Sequence, residues 1–334
     1  MNKFYQSIFA VFICSIALSN NSLDAQELYA SQPQDEKVCT VETFAAVNVT
    51  DKMEVTLKEG RCAVVINGDE ALLPYVQVSV KDSTLYIDYD EKAVPSEIKK
   101  LYRGRNAPVP ILRASVSAPA FSGITASRES SIRGNGTVFA DNIEINLYDS
   151  ADIQDLKLEA AYAKLRMSKN SYADVQLDSD SQLELSLEGN SKLKLGYKAH
   201  NLLLYQTGNS SSILSGESTT ASCDILGSSK SHLDLKGKVL VLYAGGSADV
   251  SLAGEMGDFT LTAERAAKVE SLEMKTMRVK AGLTGWTRAI VNAEELLSVN
   301  LGGGSSLYYT GGPAIQVGKI VKSTLAPYET EEKP

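Results

Sequence analysis

A chain of 334 residues with 43% hydrophobic content has room for one elongated domain or two compact ones. Its 41 acidic against 33 basic side chains leave a net charge of −8, which argues against a nucleic-acid partner, since that would need a basic face. Twenty-four glycines against nine prolines, with 7% aromatics, suit thin stacked strands better than a thick sandwich core.

Residues 1–25 read as a signal peptide: Lys3 gives the positive start, Ile8 to Leu18 the short apolar core, and Leu23-Asp24-Ala25 a cleavage site before Gln26. That core is too short to span a bilayer, and no other segment reads as an integral membrane span. Cys14, with Phe12 and Ile13 before it, matches a lipid-attachment box poorly. The expected location is therefore exported, in the periplasm or at the cell surface. Export leaves Cys39, Cys62 and Cys223 where disulfides form. Cys39 and Cys62 flank strands that can pair, and a bridge closing a loop of about 24 residues would contribute roughly 3 kcal/mol. Cys223 falls on an inward position and reads as a buried small hydrophobe.

Residues 38–122 read as an antiparallel β cap. Strand-like runs from Phe44 to Val49, Met53 to Leu57, Ala63 to Asn67, Val76 to Val80, Thr84 to Tyr89 and Pro110 to Ala118 alternate with turn signals such as Asn67-Gly68-Asp69. Such a cap would cover an edge that otherwise recruits other chains. Within it, Lys99, Lys100, Arg103 and Arg105, together with Leu101 and Tyr102, form the basic cluster of the chain. It reads as a solvated hairpin loop, or else as a site for an acidic glycan or a membrane headgroup.

Residues 123–318 repeat every 18 to 20 positions. Ala151, Ser171, Ser191, Ser211, Ser229, Ser247, Ala267, Gly285 and Ser305 form a column of small residues, and the positions four and six before each are mostly apolar. Moving one member to Ser210 aligns Gly208 with Gly189 but turns Gln206 inward, so the register there is open by one residue. Apolar residues alternate at every second position, as in Leu183-Glu184-Leu185-Ser186-Leu187, which is the period of a strand. The repeat is too short for a propeller blade and lacks the pattern of a leucine-rich repeat. The fold class is therefore all-β: a right-handed parallel β-helix, or β-solenoid, with 18–20 residue rungs behind the antiparallel cap. One rung buries five or six apolar side chains, worth about 10 kcal/mol. Ordering about 20 residues costs on the order of 20 to 40 kcal/mol, so rungs persist only when stacked. Residues 326–334 read as a disordered acidic tail.

Two groups of residues resemble a known family. The segment Val64-Val65-Ile66-Asn67-Gly68-Asp69-Glu70-Ala71-Leu72-Leu73-Pro74-Tyr75-Val76, followed by Asp82-Ser83-Thr84-Leu85-Tyr86-Ile87, is similar to the opening of the autotransporter adhesin head domains of Bacteroidetes. The corners Gly189-Asn190-Ser191, Gly208-Asn209-Ser210, Gly227-Ser228-Ser229, Gly245-Gly246-Ser247-Ala248 and Gly303-Gly304-Ser305-Ser306 resemble the recurring small-residue motif of that family. The resemblance runs from about Phe44 to Gly318 and implies a β-helical fold at the cell envelope and a part in adhesion. It supplies no catalytic or binding residues, and the corners at Arg265-Ala266-Ala267 and Leu283-Thr284-Gly285-Trp286 depart from it.

Chemistry has few footholds. Asp178 with Asp180, and Asp149 with Asp152, are the carboxylate pairs a glycosidase would need, but no basic residue stands at a spacing that would tune one of them as an acid. The histidines, His200 and His232, have no partner at metal-ligand spacing, and no cofactor motif is present. Inward serines at tight corners read as bonding their own backbone. Tyr205 and Tyr243 fall on the inward parity, whereas Tyr148, Tyr172, Tyr197, Trp286 and Tyr308 fall outward, where they could stack on sugars or dock a protein. The chain thus reads as a non-catalytic envelope module whose partner is a glycan or another surface protein. A polysaccharide-active lyase or hydrolase, and a purely structural scaffold, are the alternatives.

Overall fold

The computed structural model describes residues 34–329; the segment read as a signal peptide, residues 1–25, and residues 330–334 of the segment read as a tail lie outside them. The N-terminal part holds β1 (Gln34–Cys39), β2 (Ala46–Val49), β3 (Glu54–Glu59), β4 (Ala63–Asp69), β5 (Val76–Lys81), β6 (Thr84–Tyr89), helix α1 (Ser96–Leu101), β7 (Leu112–Ala118), β8 (Gly123–Ala126), β9 (Ser131–Gly134) and β10 (Thr137–Leu147). The repeats follow as β11 (Asp152–Met167), β12 (Tyr172–Leu187), β13 (Lys192–Gln206), β14 (Ser211–Ile225), β15 (Lys230–Ala244), β16 (Asp249–Ala263), β17 (Lys268–Leu283), β18 (Arg288–Gly302), β19 (Ser306–Thr310), β20 (Ala314–Val321) and β21 (Thr324–Pro327). From β10 onward each long strand pairs in parallel with its successor, so the chain is the β-solenoid that its period demands.

The corners set the register. Ser130, Ala151, Ser171, Ser191, Ser210, Ser229, Ala248, Ala267, Thr287 and Ser305 are all at most 2% exposed. Each lends its carbonyl to the residue after the corner of the next rung, as in Ser211 N–H to Ser191 and Lys230 N–H to Ser210, at 2.9 and 3.0 Å. The corner serines also donate to their own turns: Ser191 to the Glu188 carbonyl at 2.6 Å, Ser210 to Thr207 at 2.9 Å and Ser229 to Leu226 at 2.6 Å. Three members of the sequence-derived column are thereby corrected: the corners are Ser210, Ala248 and Thr287, not Ser211, Ser247 and Gly285. In the corrected frame every glycine two residues before a corner coincides: Gly189, Gly208, Gly227, Gly246, Gly285 and Gly303 all have φ between 68 and 81°. Only glycine adopts that conformation without strain, and a Cβ on Gly208 would come within 2.9 Å of the Gly189 carbonyl below it.

A one-residue shift exchanges the two faces of a strand, so the corrected frame reverses Tyr205 and Tyr243. Tyr197, read as outward, keeps the inward parity of the unchanged Ser191 corner six residues before it. Tyr205 points out, 43% exposed, and Tyr243 is half-buried with its hydroxyl donated to Glu264; Tyr197 is 6% exposed and fills the core. Cys223 is buried as expected.

At the N-terminal end the antiparallel strands are present: β4 runs between β1 and β7, and β5 pairs with β6. Parallel rungs are interleaved with them. β2 pairs in parallel with both β6 and β8, and β3 with both β7 and β9. The β2–β3 rung is thus laid down first and then enclosed between a later rung on either side, so the solenoid reaches back into the segment read as a cap. The basic stretch is not a hairpin loop but α1, which starts after Pro95 with Glu97 in its first turn and Lys99 and Lys100 in its last, charges that complement the helix dipole. At the other end β20 and β21 add one more rung on β18 and β19, so residues 326 and 327, read as the start of a tail, lie in a strand.

Candidate functional site

Outward side chains stack in columns about 4.8 Å apart, one residue per rung, so the columns decide what each lateral face offers. Tyr148 and Tyr172 lie on adjacent rungs near the corner edge, and Trp286 and Tyr308 lie about six rungs, or roughly 29 Å, farther along. These four belong to different columns and form no stripe. Trp286 is 81% exposed, with its ring over Gly304 of the next rung. Tyr308 carries the Arg288 guanidinium 5.0 Å from its ring centroid. Tyr197 belongs to no outer face; its hydroxyl sits 3.4 Å from that of Ser218, and burial pushes its pKa up.

Lys99 and Arg103 line a cleft beside α1 together with Lys52, Lys92, Asp88, Asp90, Glu91 and Arg128. Its charges largely cancel: Lys52 pairs with Glu91 at 3.1 Å and Arg128 with Asp51 at 2.9 Å. Lys100 and Arg105 are exposed away from that lining. The Asp149 and Asp152 pair is divided between other partners. Asp149 is bound to Lys169, and Asp152 accepts from Ser131 at 2.9 Å and Gln154 at 3.0 Å. Asp178 and Asp180 are exposed in an open groove with Asp141, Glu159 and Lys198. The one buried carboxylate among the described residues is Asp69, which accepts the Ile111 N–H at 3.1 Å.

The residues that do converge are ones the sequence register had turned inward. Strands β13, β14 and β15 bring two outward columns side by side. One is Leu203, Ser222, Val241; the other is Tyr205, Asp224, Tyr243. Leu203, Tyr205 and Val241 are 39, 43 and 43% exposed. Two ridges, each an aliphatic beside a tyrosine, therefore stand about 10 Å apart across a shallow rung that holds only Ser222 and Asp224. On the N-terminal side Ser186 leaves a second dip, walled by Lys164, Arg166 and Glu184. The walls are fixed by charge: Lys164 pairs with Glu184 at 2.6 Å, holding that carboxyl below its usual range, and Arg166 pairs with Glu144. Apolar ring faces flanking hydroxyl and carboxylate acceptors suit a hydroxyl-rich ligand with flat apolar faces. The signal that could have found this face is the glycine frame, which fixes the parity of Tyr205 and Tyr243.

Among the described residues no helix is long and apolar enough to cross a membrane. No curated protein matches the chain. It is similar to solved structures of a putative adhesin from Parabacteroides distasonis ATCC 8503 (16% identity, 89% of this chain and 98% of that one, TM-score 0.38), another from Parabacteroides merdae ATCC 43184 (14%, 90% and 100%, TM-score 0.35) and a third from Bacteroides fragilis NCTC 9343 (16%, 89% and 98%, TM-score 0.31). The family model described as "Putative auto-transporter adhesin, head GIN domain" matches residues 43–212 and 216–313, nearly all of the rungs and their N-terminal closure, and the chain belongs to that family.

Proposed function

We propose that the protein is an exported, non-catalytic binding module of the cell envelope that holds a neutral glycan against the lateral face around Tyr205 and Tyr243. The observation that carries this reading is the pair of outward tyrosines two rungs apart with Asp224 between them. Each ring can stack on a pyranose face, and their spacing is about the span of two sugar rings. Asp224 and Ser222 accept and donate to hydroxyl groups between the stacks. A net charge of −8 and the exposed Asp224 favour a neutral over an acidic glycan. Membership of an adhesin family supports a surface role.

The test is glycan-array binding by the wild type, Tyr205→Ala/Tyr243→Ala and Trp286→Ala/Tyr308→Ala. Loss of binding by at least roughly tenfold in the first double variant and retention in the second is expected, as stacked aromatics act as binding hot spots. Binding unaffected by the first pair, or no binding at all, would overturn it. The enzyme alternative rests on the open groove of Asp141, Glu159, Asp178 and Asp180; release of reducing sugar from a polysaccharide, abolished by Asp178→Asn/Asp180→Asn, would replace the present reading.

A further inference from the structure

The two ends of the rod are finished differently. At the N-terminal end the outermost strands turn antiparallel, and the edge strand β1 opens with Gln34-Asp35-Glu36-Lys37, charged side chains that discourage a further strand. At the C-terminal end the core simply stops. Ile315, Val317 and Ile320 continue the inward columns of Leu297, Val299 and Leu301. Those three are 0, 1 and 2% exposed, whereas their successors are 42, 52 and 39% exposed. All eight residues of β20 are exposed, and neither β20 nor β21 has a strand on its outer side among the described residues. Stacked-repeat proteins need a polar terminal repeat to stay apart, and this end has an apolar one.

The geometry points to a second copy of this chain as the occupant, joined end to end through β20 about a two-fold axis. A two-fold operator pairs β20 with itself antiparallel, so the edge supplies its own missing partner. The irregularity in β20 at Gly318 places Ile315 and Val317 inward before it and Ile320 inward after it. A register that sets Ile315 opposite Ile320 of the second copy puts these inward residues against each other on both sides of the irregularity and leaves Val317 opposite Gly318. The same register sets Gln316 opposite Lys319, so no like charges face each other across the strand pair. This inference stands independently of the glycan reading: it concerns the end of the rod, and it would hold the two lateral faces on one rigid, doubled particle able to bind with avidity.

Light scattering on the purified protein, with concentration varied, tests it. The expected result is a particle of twice the chain mass, with Val317→Lys/Ile320→Lys raising the dimer dissociation constant at least roughly tenfold, a change of about 1.4 kcal/mol. Both residues are already exposed in the single chain, so circular dichroism and the thermal midpoint of the monomeric variant should show an intact fold. Ile315→Cys/Ile320→Cys should cross-link two chains under mild oxidant, and Val317→Cys, which would face Gly318, should not. A monomer at every concentration, a dimer untouched by the lysine variant, or absence of the cross-link in the paired-cysteine variant would overturn the proposal.

Discussion

The side-chain oxygen of Gln206 accepts the hydroxyl of Ser231, just past the next corner of the rod, at 2.8 Å inside the core. The same oxygen accepts Ser212 at 2.8 Å, while Nε2 donates to the carbonyls of Ser210 and Lys230 at 2.9 and 3.1 Å. Gln206 stands between Leu187 and Ile225 in an otherwise aliphatic column, and Ser212 and Ser231 replace aliphatics in theirs. All four hydrogen-bonding positions of the amide are used, so its burial is offset. Gln206→Leu should lower stability by about 1–3 kcal/mol in urea unfolding, because it takes one hydrogen-bond partner from each of two buried hydroxyls and two carbonyls. Gln206→Leu/Ser212→Ala/Ser231→Val removes both hydroxyls and should recover much of that loss. A triple variant weaker than the single one would show that the trio does not act as a unit.

That trio also explains how far the sequence could be read. The period and the small corners were visible because they recur in every rung. The parity of Tyr205 was not, because an inward Gln206 looks costly until Ser212 is brought to it across the corner and Ser231 from the rung beyond, which no local pattern reveals; that of Tyr243 turned on which of Gly245 and Gly246 takes the positive φ. The six glycines at positive φ carry the correct frame, and their alignment outweighs one polar residue. At the N-terminus, β2 and β3 did not read as rungs because their parallel partners are not successive in the chain. The lateral face at Tyr205 was missed for the first of these reasons.

The glycine column can be tested directly. Gly208 has φ 81°, and an added Cβ would come within 3.0 Å of the Gly189 N as well as 2.9 Å of its carbonyl, so Gly208→Ala combines left-handed strain of about 1–2 kcal/mol with a steric clash. Arg265 occupies the same column with φ 68° and already bears that strain. Arg265→Gly should therefore be neutral or mildly stabilising in thermal unfolding, whereas Gly208→Ala should destabilise. Equal effects in the two variants would rule out the stacked corner as the cause.

Cys39 lies opposite Val64 in the β1–β4 pair, which puts it on the same side of the sheet as Cys62, two residues before Val64; both pack against the core and are free thiols in the structure. We expect them to bridge in an oxidising compartment, fastening the outermost strand. Non-reducing peptide mapping of exported protein should find the Cys39–Cys62 link, and reduction should lower stability by roughly 3 kcal/mol. Two alkylatable thiols in that material would exclude it.

Burial also shapes the response to alkali. The Cys223 thiol is pushed up to about 12 from 9.0, the Tyr89 hydroxyl to about 12 from 10.0, and Tyr197 is raised as well, each chiefly because burial penalises the charged form. A raised folded-state value means that the unfolded chain releases its proton first, so stability is intact below pH 9 and falls as pH rises from there toward 12. The thermal midpoint of the wild type should begin to drop just above pH 9. In Cys223→Ala the first part of that decline should vanish, leaving a drop that starts only near pH 10, where the tyrosines begin to ionise in the unfolded chain. A Cys223→Ala profile that parallels the wild type throughout would remove the thiol from the account.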